Sequence, residues 1–286
     1  MQRPLRKKKR DIGGIVLTVL FSLVCILYVM PIVEVLINSF KTHSAINTDT
    51  FALPNAGTFA GTSNYVKGMT FGNYPFLKSL LYSIVITILS VTLILLCTSM
   101  AAWFISRVGG RFSRLFYLGC VFSMIVPFQM VMFPLVSVAN DLYLNTPWTI
   151  PVIYLGFGAG LAVFMFCGFM KSVPIEIEEA SMIDGCNPIQ TYFKVVFPLL
   201  KPTMVSVAIL EAMWIWNDYL LPTLILDIDK YKTISMLIQY FRGSYGRVEM
   251  GPMMACIMLA ILPIIIVYLA GQKYIIKGVV SGAVKG

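Results

Sequence analysis

The residues of this chain with a capacity for chemistry are few, and most of them interrupt apolar sequence. Glu34 and Asn38, Gln129, and the group Glu211, Asn217 and Asp218 are acids and amides set inside otherwise hydrophobic stretches. A charge in such a setting faces protein or water and often marks a transport path; otherwise it pairs with backbone or with another subunit. The run Trp214-Ile215-Trp216-Asn217-Asp218-Tyr219 adds flat aromatic faces to an amide and a carboxylate. That mixture suits a polyhydroxylated ligand such as a sugar, and equally suits an aromatic belt at a membrane surface. Glu211, Trp216, Asn217 and Asp218 are the candidate path residues.

Catalysis has little else to draw on. No G-x-x-x-x-G-K-[ST] phosphate loop, serine elbow or Gly-rich dinucleotide loop occurs, so ATP binding in that way is not expected. His43 is the only histidine, and the six cysteines show no paired spacing, so no metal site, disulfide framework or histidine-based catalysis is expected.

The other distinctive stretch is polar. Residues 172–202, SVPIEIEEASMIDGCNPIQTYFKVVFPLLKP, carry two helix-start signals and one stop. Pro174 suits a first turn, where its missing N–H costs nothing, with Ser172 as a nearby cap. Glu176, Glu178 and Glu179 then lie near the positive end of the helix dipole. Gly185 can close that helix in a left-handed conformation. Asn187 caps a second helix, with Pro188 in its first turn. A helix, a glycine break and another helix make a rigid, shaped object.

The elements that must position these residues are membrane spans. Hydrophobic residues make up 58% of the 286 and charged residues 12%, far from the balance of a soluble domain. Charge-free apolar runs at residues 15–33, 79–105, 115–138, 150–170 and 252–272 each approach or exceed the roughly 20 residues that cross a bilayer as a helix. Residues 203–226, interrupted by Glu211 and Asp218, make a sixth. The expected fold is an all-α membrane protein of six transmembrane helices with a cytoplasmic helical loop, since helices satisfy their own backbone in lipid.

Orientation follows from the basic residues. With the N-terminus inside, the inner regions hold Arg3, Arg6, Lys7, Lys8, Lys9, Arg10, Arg107, Arg111, Arg114, Lys171, Lys194, Lys201, Lys273, Lys277 and Lys285, which is 15 of the 22 Lys and Arg. The positive-inside rule therefore puts both termini and the loop 172–202 in the cytoplasm, and accounts for the net charge of +9. The first apolar run is longer than a signal peptide's and lacks a small-residue cleavage site, so it reads as a retained helix. Residues 41–76, rich in Thr, Asn, Gly and aromatics, read as a small extracytoplasmic cap.

The loop also resembles a known motif. Glu179-Ala180-Ser181, three residues, Gly185, nine residues, Val195, one residue, Phe197-Pro198 is similar to the EAA motif of the membrane subunits of binding-protein-dependent ATP-binding-cassette importers. That motif reads E-A-A, three residues, G, nine residues, I, one residue, L-P; Ser181, Val195 and Phe197 depart from it mildly. Asp184-Gly185-Cys186, the text from Phe197 to Pro202, Trp216-Asn217-Asp218-Tyr219-Leu220-Leu221-Pro222 and the C-terminal residues 272–286 resemble the carbohydrate branch, with its maltose-type six-helix subunit. The likeness runs from about Lys78 onward.

The resemblance implies a single transmembrane permease domain over residues 1–286, with a core at about 77–276 and a coupling loop at 172–202, in a bacterial inner membrane. It implies pairing with a second homologous membrane subunit and docking onto two ATPase subunits, which use ATP and Mg while this chain binds no cofactor. Glu179, Ala180, Ser181, Asp184, Gly185 and Pro198 become the ATPase-coupling residues. Ala180 and Ser181 let the helix sit deep, and Glu179 and Asp184 meet basic groups. An extracytoplasmic solute-binding protein would deliver a sugar or oligosaccharide to Gly243, Ser244, Tyr245, Gly246 and Arg247. No nucleic-acid partner is expected. An ion-coupled transporter using Glu211 and Asp218 as relay groups is the alternative, although no inverted halves with matching broken helices are visible; an intramembrane enzyme lacks catalytic groups.

Overall fold

The structure, a computed structural model, describes residues 12–70, 74–241 and 249–283, with side chains described as far as residue 272. Helix α1 spans Ile12–Ser39; the short α2 (His43–Thr48) and α3 (Ser63–Thr70) follow, then the 33-residue α4 (Phe76–Val108). Next come α5 (Gly110–Ser123), α6 (Phe128–Asp141) and α7 (Pro151–Met170). The loop region holds α8 (Ile175–Ile183), α9 (Pro188–Thr191), a π-helical turn at Tyr192–Val196 and α10 (Phe197–Leu199). The chain closes with α11 (Lys201–Asn217), α12 (Leu220–Ile225), α13 (Ile234–Tyr240) and α14 (Met250–Ala283). Among the described residues the only β feature is an isolated bridge between Lys41 and Phe59.

Helices α1, α4, α7 and α14 are each long and apolar enough to cross a membrane unbroken. The other expected crossings are bent. Residues 115–138 form two limbs, α5 and α6, at 105° to each other. Pro127 causes the break: it has no N–H for a continuing ladder and biases the residue before it away from helix. It stands at the cap of α6 with extended backbone (ψ 136°). The stretch 203–226 is interrupted too, because α11 stops at Asn217 and Asp218 is extended (ψ 127°) before α12 starts. Segment 188–199 meets α11 at 75°.

The core gathers where α4, α7 and α11 pack together, around Ile94, Ala102, Ala162, Val163, Phe166 and Val207. Glycine sets how closely these helices approach. A Cβ on Gly160 of α7 would lie 2.7 Å from the Cys120 carbonyl oxygen and 2.5 Å from Met124 Cγ, so α5 can cross here only over a bare backbone. Helix α1 is different: its apolar surface is mostly exposed, and α14 is its principal helical neighbour.

The segment between α1 and α4 folds into the expected small cap. Lys41 is buried, its ammonium donating to the carbonyls of Asp49 (2.9 Å) and Thr50 (3.1 Å). Asn64, beneath Gly251 of α14, donates to the carbonyls of Ser39 and Lys41 and closes the cap against the bundle.

Candidate functional site

The loop 172–202 is built from local signals, one of them placed otherwise than expected. Ser172 does not cap α8; its hydroxyl donates back to the Phe169 carbonyl at 2.7 Å, and Pro174 occupies the cap position with extended backbone. The hydroxyl turns back onto the last turn of α7, whose end carbonyls lack a partner in the helix ladder, before it can reach α8. At the other end Gly185 has φ +85°. Its N–H donates to the Met182 carbonyl and the Cys186 N–H to that of Ser181, both at 3.0 Å, which together form a Schellman close. Asn187 and Gln190 then bond reciprocally, side chain to backbone, at 2.9 and 3.0 Å, a complete capping box.

One face of the loop grips α4. Ser99, Trp103 and Arg107, spaced four apart, lie on a single helix face. Ser99 shares a hydrogen bond with the Tyr192 hydroxyl at 2.6 Å. The Trp103 ring packs 5.4 Å from that of Tyr192, and its indole N–H donates to Glu178 Oε2 at 2.8 Å. Arg107 pairs with Glu178 Oε1 at 2.7 Å and donates to the Val173 carbonyl at 2.9 Å. Glu178 is 2% exposed, so this is an almost dry carboxylate satisfied from two sides. Inside the loop the Ser181 hydroxyl bonds to that of Thr191 at 2.9 Å, tying α8 to α9.

The other face is open. Glu179, Ala180, Met182, Ile183, Asp184 and Gly185 are exposed, Ile183 at 87%, and so is Pro198. Ser181, expected on the docking face, is turned inward. Glu178, read from sequence only as an acid favoured by the helix dipole, is the loop's anchor; the available signal was that consecutive acids on a helix sit about 100° apart, so Glu178 and Glu179 cannot share a face.

The path candidates separate in the same way. Asp218 accepts from the Tyr154 hydroxyl at 3.0 Å and, through Oδ1, from the N–H of Leu220 at 3.0 Å, so it caps α12 at the break. Tyr154, 1% exposed, stands edge-on to Trp214 with centroids 5.6 Å apart. Trp214, Asn217 and Tyr219 are exposed. Trp216 points the opposite way, its indole donating to the Ala260 carbonyl at 3.2 Å, beside an apolar cavity of about 170 Å³ between α4, α11 and α14. Glu211 is buried against Gly158, where a Cβ would lie 2.9 Å from its carboxylate.

Glu34 is half-buried, its carbonyl taken by Asn38, while Gln129 is exposed near the start of α6. Gly243, Ser244, Tyr245, Gly246 and Arg247 lie outside the described residues. Among the described residues no His, Cys, Asp or Glu group is placed to hold a metal ion.

Three comparisons bear on this geometry. Residues 94–281 match the model of a family described as binding-protein-dependent transport system inner membrane component. The chain is 34% identical to a probable starch degradation products transport system permease protein of Thermoanaerobacterium thermosulfurigenes, over 97% of this chain and 99% of that protein. It is 35% identical to a multiple sugar-binding transport system permease protein of Streptococcus mutans, over 98% of this chain and all of that one. A chain from the crystal structure of a bacterial ABC transporter involved in import of the acidic polysaccharide alginate superposes with a TM-score of 0.78 at 24% identity, covering 95% of this chain and 99% of that one. That likeness establishes the fold.

Proposed function

Because this chain belongs to the family of binding-protein-dependent transport system inner membrane components, we propose that it serves as one membrane-spanning half of an ATP-driven importer for a sugar or oligosaccharide. It is a transport permease and not an enzyme. The observation that carries the reading is the loop 172–202: a rigid two-helix element with one face locked to α4 and the other left open. A second homologous membrane subunit completes the path, and the open face, with Glu179, Asp184 and the apolar Met182 and Ile183, docks into an ATPase subunit. ATP and Mg stay with that ATPase. Both termini and the loop are cytoplasmic, and the cap of α2 and α3 is extracytoplasmic. No match favours an ion-coupled carrier.

Purified alone, the chain should hydrolyse no ATP. Assembled with its membrane partner, the ATPase pair and a sugar-loaded binding protein, it should accumulate sugar in proteoliposomes supplied with Mg-ATP. Turnover by the isolated chain, or accumulation driven by a proton gradient without ATP, would overturn the proposal.

Within the path, the exposed Trp214, Asn217 and Tyr219 line the route, while Tyr154 and Asp218 hold their backbone and Trp216 and Glu211 support it from behind. Trp214→Ala should leave thermal stability near wild type and lower sugar uptake roughly two- to tenfold, the scale of one aromatic contact. Trp216→Ala should instead destabilise by about 3–5 kcal/mol, as a buried Trp truncation does. Melting temperature and uptake measured on both variants separate the two roles; the opposite pattern would reverse the assignment.

A further inference from the structure

The end of α4 remote from the loop carries a cluster that neither the path nor the coupling loop uses. Lys78 Nζ lies 4.7 Å from the centroid of Tyr74 and 5.9 Å from that of Tyr82. Lys232 Nζ lies 4.8 Å from the same Tyr74 ring and 5.5 Å from Tyr240. Two ammonium groups thus share one tyrosine, no more than about 10 Å apart by those distances, comparable to a Debye length of roughly 8–10 Å. Lys230 next to them is already neutralised by Asp227 at 2.9 Å. Lys78 and Lys232 form no ion pair among the described residues. Ring faces attract cations but supply no countercharge; Asp229 in the same segment also acts on Lys230, so Lys78, Lys230 and Lys232 against Asp227 and Asp229 leave a net charge of +1 at this surface.

The cluster is held rigid. The Tyr74 hydroxyl donates to the Lys230 carbonyl and accepts from the Lys232 N–H, both at 3.1 Å. The Ile234 N–H donates to Ser83 Oγ at 2.8 Å, pinning α13 to α4, and Tyr231 stands edge-on to Tyr82 at 5.3 Å. Each lysine therefore projects from fixed backbone, an arrangement that saves ordering entropy when a partner arrives. Arg107, which grips the coupling loop, lies 29 residues further along α4, about 44 Å at 1.5 Å per residue, so the cluster stands at the other membrane surface. At that end Phe76 of α4 packs with Ile234 and Leu237 of α13 and with Met253 and Cys256 of α14, so the cluster stands on a packed base of three helices.

We propose that Lys78 and Lys232, set on the Tyr74 ring, form a docking point for a carboxylate-bearing patch of the extracytoplasmic solute-binding protein. The proposal rests on the importer reading above and adds the chemistry of the contact: an acidic surface of a protein partner, drawn in by a rigid dicationic, aromatic pad. Opposite charges of this kind act mainly on encounter rate and register, so their signature is salt dependence.

The test uses the complete transporter in nanodiscs and its cognate sugar-loaded binding protein, titrated while ATP hydrolysis is measured from about 20 mM to about 500 mM NaCl. In wild type the half-stimulating concentration of binding protein should rise with salt. In Lys78→Glu/Lys232→Glu it should rise at least about tenfold at low salt and lose most of its salt slope, with maximal hydrolysis at saturation unchanged. Lys78→Arg/Lys232→Arg, which keeps charge and stacking, should behave as wild type and controls for misfolding. An unchanged half-stimulating concentration in the reversal variant would overturn the proposal. So would a defect that appears only in phosphatidylglycerol nanodiscs and vanishes in phosphatidylcholine, since the lysines would then serve anionic headgroups. Failure of the wild-type complex to respond to binding protein at any salt would instead strike the importer reading itself.

Discussion

Gly185→Val is expected to give a chain that inserts and folds normally yet no longer holds its ATPase. At φ +85° a residue with a Cβ is strained by about 1–2 kcal/mol, and a β-branched side chain is among the worst suited. No atom lies within 4 Å of where that Cβ would sit, so the penalty is conformational and not a clash. The Schellman bonds from Gly185 and Cys186 would be lost, and α9 would leave α8 at a different angle. A cost of that size lowers the population of correctly shaped loop about tenfold, and co-purified ATPase and substrate-stimulated hydrolysis should fall in proportion. Gly185→Asn should retain most of both, because asparagine tolerates the left-handed region. A valine variant that transports normally with its ATPase bound would show that the loop is not the coupling element.

The second large effect is expected at Glu178. Its removal in Glu178→Ala leaves the Arg107 guanidinium and the Trp103 N–H without their acceptor. Breaking a buried pair in this way costs about 3–5 kcal/mol, with the lower end expected here because Arg107 is 19% exposed. The melting temperature should drop accordingly. Glu178→Gln keeps the size of the side chain and an acceptor for Trp103 while removing the charge, and should loosen the loop without unfolding the bundle. In that variant the ATP consumed per sugar imported should rise, since a loosely seated loop absorbs the ATPase's displacement. A mere loss of folded protein would lower hydrolysis and uptake together and leave the ratio fixed. An unchanged ratio in Glu178→Gln would mean that the Arg107 pair holds the fold and plays no part in coupling.

What sequence could reveal here depended on the range of the physics involved. The turn at Gly185 and the capping box at Asn187 were legible because they are closed by residues within five positions of one another. Hydrophobic runs revealed where the apolar mass lies, and the charge of Asp218 showed as a gap in one of them, but hydropathy carries no direction, so the 105° bend at Pro127 and the extended backbone at Asp218 were invisible to it. Ser172 was misplaced because two helix ends competed for one hydroxyl. Glu178 was legible as an acid near a helix start but not as an anchor, because its partner is 71 residues away, a separation that no local pattern spans. From sequence Trp216 fell among the candidate path residues and Trp214 was passed over, and only the packing of α14 behind α11 distinguishes the exposed Trp214 ring from the Trp216 indole that anchors to Ala260.

The packing of α1 has a consequence for how the protein is made. Its principal helical neighbour is α14, which follows every other described helix along the chain and is therefore synthesised after them. A span so early in synthesis must therefore remain in the bilayer without its mate until nearly every other helix has been delivered. It can do so because its backbone is satisfied internally and its surface is lipid-compatible all round. Chains truncated before Met250 would keep the α4–α7–α11 core yet carry an unclasped leading helix and a cap deprived of Gly251. Such products would present membrane quality control with a defect at the cap of α2 and α3, although the synthetic error lies in α14.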